Sequence, residues 1–276
     1  MTDAAAGERW MRRLLVCLLV VVSVCGVASV LADFGDDGAQ WHTIDRTFDR
    51  PVDTLELNMS NGSVTVETDE GGDVDLWAQV FYHNERPQPR HEIVGRTLSV
   101  SFDGCDGDVC WADYVITVPE STAVNVTISD GGIAVSGVGG AVTVRTDTGS
   151  IDLHDIAGDA EAHTARGHIE MSRMSGDIVA GTAFGDITGL TLRSESVDVD
   201  VGVGEVDLEF DGPPVNVQAR AETGGVMIEV PDDGKPYDVT VDTVTEPAEI
   251  DVDTSATADR AIDVTVGDGR CVVEHG

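Results

Sequence analysis

"TDTGSIDLHDIAGDAEAHTARGHIEMSRMSGDIVAGTAFGDI", Thr146 to Ile187, states one short phrase more than twice. Ile133, Ile151, Ile169 and Ile187 stand 18 residues apart, and Gly131, Gly149, Gly167 and Gly185 precede them by two. Val135, Leu153 and Met171 keep the same interval, as do Val138, Ile156, Met174 and Leu192. So do Gly140, Gly158 and Gly176, and then Thr146, Thr164 and Thr182. A fixed period across so many columns marks a repeat architecture.

Each unit reads Gly-x-Ile-x-Leu, a turn with Gly, then apolar-x-apolar-x-Thr. Both halves alternate with period two, which predicts two short strands, each with one buried face. Two windings fit such a unit. In a parallel solenoid each coil stacks on the last, so like residues lie over like at about 4.8 Å. An antiparallel meander has no need of that. The columns therefore predict an all-β parallel β-solenoid (β-helix) of about 18 residues per coil. A β-sandwich is the alternative.

The period loosens towards the C-terminal end: Val206 follows Gly204 one residue late, and Val226 follows Gly224 and Gly225. Ala261 to Gly276 reads as a last coil. Before the regular part, "LELNMSNGSVTVE" (Leu55 to Glu67) predicts a strand, an Asn-Gly turn and a strand. "DVDLWAQVFYH", "TLSVSF" and "DYVITVP" are further strand candidates.

The stretch Leu14 to Ala32 contains no charge; Arg9, Arg12 and Arg13 precede it, and Asp33, Asp36 and Asp37 follow. That length suits a single membrane span, and the arginine flank places the remainder outside the cell. The alternative is a signal segment cleaved after "VLA" and a secreted product. Cys25 lacks the small residue that normally precedes a lipidated cysteine, and Arg12-Arg13 is half of a twin-arginine signal. The expected organisation is a cytoplasmic basic flank (1–13), an anchor or signal segment (14–32) and an acidic linker (33–50). The solenoid follows over 51–276, most regular over 131–192.

With 51 acidic and 16 basic residues the formal net charge is −35, and Lys235 is the only lysine. The acidic residues are spread along the strands, and 41% hydrophobic content is too high for a disordered chain. The expected setting is high salt and the expected source a salt-adapted archaeon. The solenoid register places Asp152 under Glu170, and Asp159, Asp177 and Glu195 in one column. Like charges about 4.8 Å apart cost roughly 0.9 kcal/mol in water. The screening length falls from about 10 Å at 0.1 M salt to about 3 Å at 1 M. The same charge excludes nucleic acid, which needs a basic footprint.

Of the five cysteines, Cys17 and Cys25 lie in the apolar stretch. Cys105 and Cys110 bracket a short loop and are a candidate disulfide in an exported domain. Cys271 is left over. Asn58, Asn61 and Asn125 each open an N-x-Ser/Thr triplet and are candidate glycan acceptors, Asn61 in a turn.

Chemistry is sparse. His154, His163 and His168, with Glu161 and Glu170, would need one common face to hold a metal, and the register sets them on different edges. The Gly-Gly-x-Gly-x-Asp pattern of calcium-binding nonapeptide repeats is missing, and so are an EF-hand loop and a G-x-S-x-G. Glycoside cleavage needs two carboxylates in a cleft, and among 51 acidic residues proximity alone proves nothing. Aromatic residues, which would stack sugars, are 5% of the chain. No catalytic residue, cofactor or metal is assigned.

"YVITVPESTAVNVTISDGGIAVSGVGGAVTVRTDTGSIDL" (Tyr114 to Leu153) resembles the putative-adhesin family of β-strand-repeat proteins. It shares their tyrosine-strand-"VP" opening and their Gly-Asp/Ser-Ile units, here "GSI", "GHI", "GDI" and "GEV". The likeness spans Leu55 to the C-terminal end and is strongest from Tyr114 to Leu190. The loop "HNERPQPRHEIVGR" and the Cys105–Cys110 loop depart from the family pattern. The resemblance implies a solenoid on the outer side of a membrane and carries over no catalytic residue. The expected function is a non-catalytic, membrane-anchored surface module for envelope interaction or adhesion, with envelope proteins or glycans as partners. The alternative is a cell-surface solenoid that binds or acts on polysaccharide.

Overall fold

The computed structural model describes residues 40–69, 71–105 and 109–276. The expected basic flank and apolar stretch, 1–32, lie outside the described residues, as do 33–39 of the expected linker. Residues 40–48 of that linker are a strand, β1 (Gln40–Phe48). Among the described residues no helix is long and apolar enough to cross a membrane.

The chain continues through β2 (Thr54–Asp69), β3 (Val74–Tyr82), β4 (Arg90–Val94), β5 (Thr97–Phe102) and β6 (Trp111–Pro119). Regular coils follow, each with two strands: β7 (Ala123–Asp130) and β8 (Ile133–Ser136), β9 (Val142–Thr148) and β10 (Ile151–His154), β11 (Ala160–Arg166) and β12 (Ile169–Ser172). Next come β13 (Ile178–Phe184) and β14 (Ile187–Leu192), β15 (Ser196–Val203) and β16 (Val206–Phe210), β17 (Asn216–Thr223) and β18 (Val226–Val230). The chain closes with β19 (Asp238–Thr243), β20 (Glu249–Asp251), β21 (Ala261–Asp268) and β22 (Cys271–His275).

The register decides between the two windings. Ile133 pairs with Ile151, Ile151 with Ile169 and Ile169 with Ile187, all in parallel. Val142, Ala160, Ile178 and Val197 pair in the same way on the other face. The fold is a parallel β-solenoid, and the one-residue delay at Val206 is absorbed by an irregularity between Gly189 and Leu192. The stacked apolar residues are buried and form one continuous core.

The glycine column is dictated by the corner between the two faces. Gly131, Gly149, Gly167, Gly185, Gly204 and Gly224 all have φ between 133° and 153°. A Cβ on Gly149 would lie 2.0 Å from the Gly131 carbonyl oxygen, so both the turn and the close approach of coils require glycine. The threonine column is explained beside it. The buried hydroxyls of Thr146, Thr164 and Thr182 donate to the carbonyls of Gly131, Gly149 and Gly167 at 3.2, 3.0 and 3.1 Å.

Gly62 belongs to the same column, with φ 127°, and this corrects one expectation. Asn61-Gly62 does not close a hairpin. It is a solenoid corner, where β2 passes from one face to the other without interruption. Its first half lies between β5 and β7 and its second half between β6 and β8, all parallel.

Coil order in space therefore departs from chain order at both ends. The β2 coil lies inside the β5–β6 coil. At the far end β21 lies between β17 and β19, and β22 between β18 and β20. The expected last coil, Ala261 to Gly276, is thus the second from the end. Beyond β6 the pairing turns antiparallel, with β3 on β6 and β1 on β3; β4 lies antiparallel on β5.

Candidate functional site

Along the regular coils the polar side chains largely satisfy one another. Asp152 pairs in register with Glu170. The Asp159 carboxylate accepts the Asp177 backbone N–H at 3.1 Å, and Asp186 accepts that of Glu205 at 2.9 Å. Acidic columns thus cap the next coil as well as repel it. Arg145–Glu161, Arg193–Asp211 and Arg220–Asp198 are ion pairs. The three histidines do not converge: His154 meets Ser172 and Arg173, His163 lies 3.3 Å from Glu161, and His168 lies 3.1 Å from Asp186. Among the described residues no three His, Cys, Asp or Glu are grouped as metal ligands.

The N-terminal end differs. Antiparallel pairing sets Trp41 opposite Phe81 and Phe81 opposite Trp111, so the three rings share the outward face of adjacent strands. Phe81 and Trp111 stack with centroids 3.9 Å apart, while Trp41 is 73% exposed. Trp77 lies on the same face two rows along. The row between carries Thr43, Gln79 and Asp113, and Asp113 accepts from the Ser63 N–H at 3.0 Å and its hydroxyl at 2.6 Å. Trp41 is thus the exposed edge of a row whose other rings are half-buried, and such an edge is a candidate contact surface.

The other face of β1 looks into a groove of about 500 Å³, lined by His42, Ile44 and Arg46, by Asp45 at its rim and, across it, by Arg86 and Gln88. His91 and Tyr114 lie close to Arg46. Their rings meet edge to face, with His91 Nε2 3.2 Å from the Tyr114 hydroxyl. Burial, helped by the charge of Arg46, pushes His91 down to about 4, so its ring is neutral at pH 7. Burial pushes the Tyr114 hydroxyl upward. The buried His91 Nδ1 has no hydrogen-bond partner among the described residues.

The arginines separate the two regions. Of the twelve among the described residues, seven have a carboxylate within 4 Å. Four of the other five, Arg46, Arg50, Arg86 and Arg90, lie in β1, β4 and the segments beside them.

Cys105 and Cys110 are joined by a disulfide with Cα atoms 6.0 Å apart. Residues 106–108 of that loop lie outside the described residues. Cys271 is free and buried, and burial pushes its thiol up to about 11. Asn58 and Asn125 are exposed on β2 and β7. Asn61 is differently placed: its amide nitrogen donates to the Cys110 carbonyl at 2.6 Å, and its amide oxygen is buried. A glycan would replace one of the two N–H groups of that nitrogen and would have to fit beside the Cys110 carbonyl. The aromatic row and the arginine groove escaped the sequence reading. Their one sequence signal was that both family departures, the 83–96 loop and the Cys105–Cys110 loop, flank strands of this end.

No family model matches the chain, and no curated protein matches it. Solved structures do. A putative adhesin from Bacteroides fragilis is 13% identical with a TM-score of 0.45, covering 85% of this chain and 97% of its own. A putative adhesin from Parabacteroides distasonis is 12% identical with a TM-score of 0.39, covering 88% and 98%. A putative cell adhesion protein from Clostridium sporogenes is 10% identical with a TM-score of 0.31, covering 86% and 100%.

Proposed function

We propose that this chain is a non-catalytic surface module, held in the cell membrane by Leu14 to Ala32, whose solenoid contacts envelope proteins or glycans outside the cell. The observation that carries the reading is the aromatic row Trp41, Phe81 and Trp111, set on an otherwise acidic surface. Aromatic side chains are enriched at interfaces because they bury large area at little entropic cost. The uncharged stretch and its arginine flank support the anchor, and the Cys105–Cys110 disulfide suits an exported domain. Asn58 and Asn125 are the accessible candidate acceptors for glycans. The acidic surface suits a salt-adapted archaeal cell.

The test is binding of the full chain to isolated envelopes in molar salt. Trp41→Ala with Trp111→Ala should weaken binding by roughly tenfold or more while the far-ultraviolet spectrum stays unchanged. Undiminished binding would overturn the reading. Protease added to intact cells should digest the solenoid; protection until lysis would overturn the topology.

A second reading, polysaccharide binding, is favoured by the polar row beside the rings, where Gln79 and Asp113 could meet sugar hydroxyls. Binding to purified envelope polysaccharide, lost in the same tryptophan variant, would select it.

A further inference from the structure

The groove between β1 and the 86–89 segment is the least explained part of the molecule. On a chain of net charge −35 an arginine readily finds a carboxylate, and seven of the described ones do. Arg46 and Arg86 line this groove and have no carboxylate within 4 Å among the described residues. Both are exposed, so nothing in the core holds them there. His42 and Gln88 add further polar groups to the lining, and its one carboxylate among the described residues, Asp45, stands opposite Trp77 in the register and so alternates to the other face of β1.

We propose that this groove binds a phosphate group, with Arg46 and Arg86 as its two charged arms. A guanidinium presents a planar fork of donors that matches two oxygens of a phosphate, and two forks can share the charge of one group. The surrounding acidic surface sets the size of the ligand. It repels extended polyanions, so the anion must be compact or carried on a neutral or lipid body. Two sources share this chemistry: a phospholipid headgroup and a free phosphorylated solute. The first rests on the membrane-anchor reading above, because β1 begins eight residues after Ala32. The second does not.

The test uses the full chain in nanodiscs of phosphatidylcholine, with inorganic phosphate as the first probe and acetate as the control anion. Phosphate should raise the melting temperature of the solenoid saturably, and acetate should not. Arg46→Gln or Arg86→Gln should each weaken phosphate affinity about tenfold, since a charge-assisted bond contributes about 1.5 to 3 kcal/mol. Arg166→Gln, at an arginine of the regular coils with no carboxylate within 4 Å among the described residues, should change nothing. The second arm replaces part of the neutral lipid with phosphatidylglycerol. A rise in melting temperature there that is lost with Arg46→Gln supports the site and assigns it to headgroups. Phosphate binding without a lipid effect supports the site and assigns it to a solute. That result leaves the site standing even if the anchor reading fails. Absence of both responses, or responses that survive both groove variants, would overturn the proposal.

Discussion

Asp152 shows what one stacked charge costs. It lies in register with Glu170 on the neighbouring strand, and its carboxyl is pushed above the usual range by loss of solvent and then by Glu170. Neither influence survives unfolding. The folded state therefore takes up a proton more readily, and stability falls as pH rises from the ordinary carboxylate range through the raised value. Asp152→Asn removes that cost. The variant should be more stable at neutral pH by about 0.5 kcal/mol in dilute buffer, and the gain should vanish on acidification. Denaturant melts of both proteins across pH check this; equal midpoints at neutral pH would refute it. The Asp152–Glu170 pairing was legible because the 18-residue period fixes the register. Other residues were not legible. The turn that Gly137 opens is filled in later coils by Asp155, Arg173 and Thr191, all at φ of 52° to 58°. Aspartate tolerates the left-handed backbone, but Arg173 and Thr191 carry no sign of it, and the stacking of neighbouring coils imposes it on them.

At the scale of elements, the coil is the unit of structure, and deletion tests it. Removing Gly149 to Arg166 joins Thr148 to Gly167 and restores each column, so Ile133 meets Ile169 and Val135 meets Met171. Stability should fall by about one unit's share, because each coil touches mainly its neighbours. Removing only Gly149 to Ala157 puts Ala160 and Ala162 beside Ile133 and Val135. Losing large buried side chains costs roughly 2 to 5 kcal/mol each. The first variant should fold and the second should be far less stable, by circular dichroism and melting; equal damage would mean that the unit is wrongly drawn. The coils were readable because repetition fixes who stacks on whom. The antiparallel end was not, since β3 and β6 bury every second residue as any half-buried strand does, and nothing local says which strands they pair with. The aromatic row shares that fate. Trp41, Phe81 and Trp111 stand 40 and 30 residues apart, and only long-range pairing brings them together. An average of 5% aromatic residues conceals such a concentration.

For the whole molecule, charge is the dominant variable. The acidic columns, such as Asp152 with Glu170, run along the solenoid axis, and the repulsion that the ion pairs leave uncompensated is relieved by screening. Melting in molar salt should occur well above melting in tenth-molar salt, and equal midpoints would count against this. The two ends also differ. The segment from Asp232 to Arg260 holds nine Asp or Glu against Lys235 and Arg260, whereas the opposite end gathers arginines with no carboxylate within 4 Å among the described residues.

The crossed coil order has a consequence for how the molecule is made. A polypeptide is synthesised from its N-terminal end, so β19 and β20 emerge before β21 and β22. Yet β21 and β22 are the layer on which β19 and β20 rest. The outer pair has no neighbour to hydrogen-bond until more than twenty further residues have arrived and slipped beneath it. The solenoid can grow coil by coil from its middle as the chain emerges from its N-terminal side, but its far end cannot be completed in that order. That end must wait, half-formed, for residues that have not yet emerged.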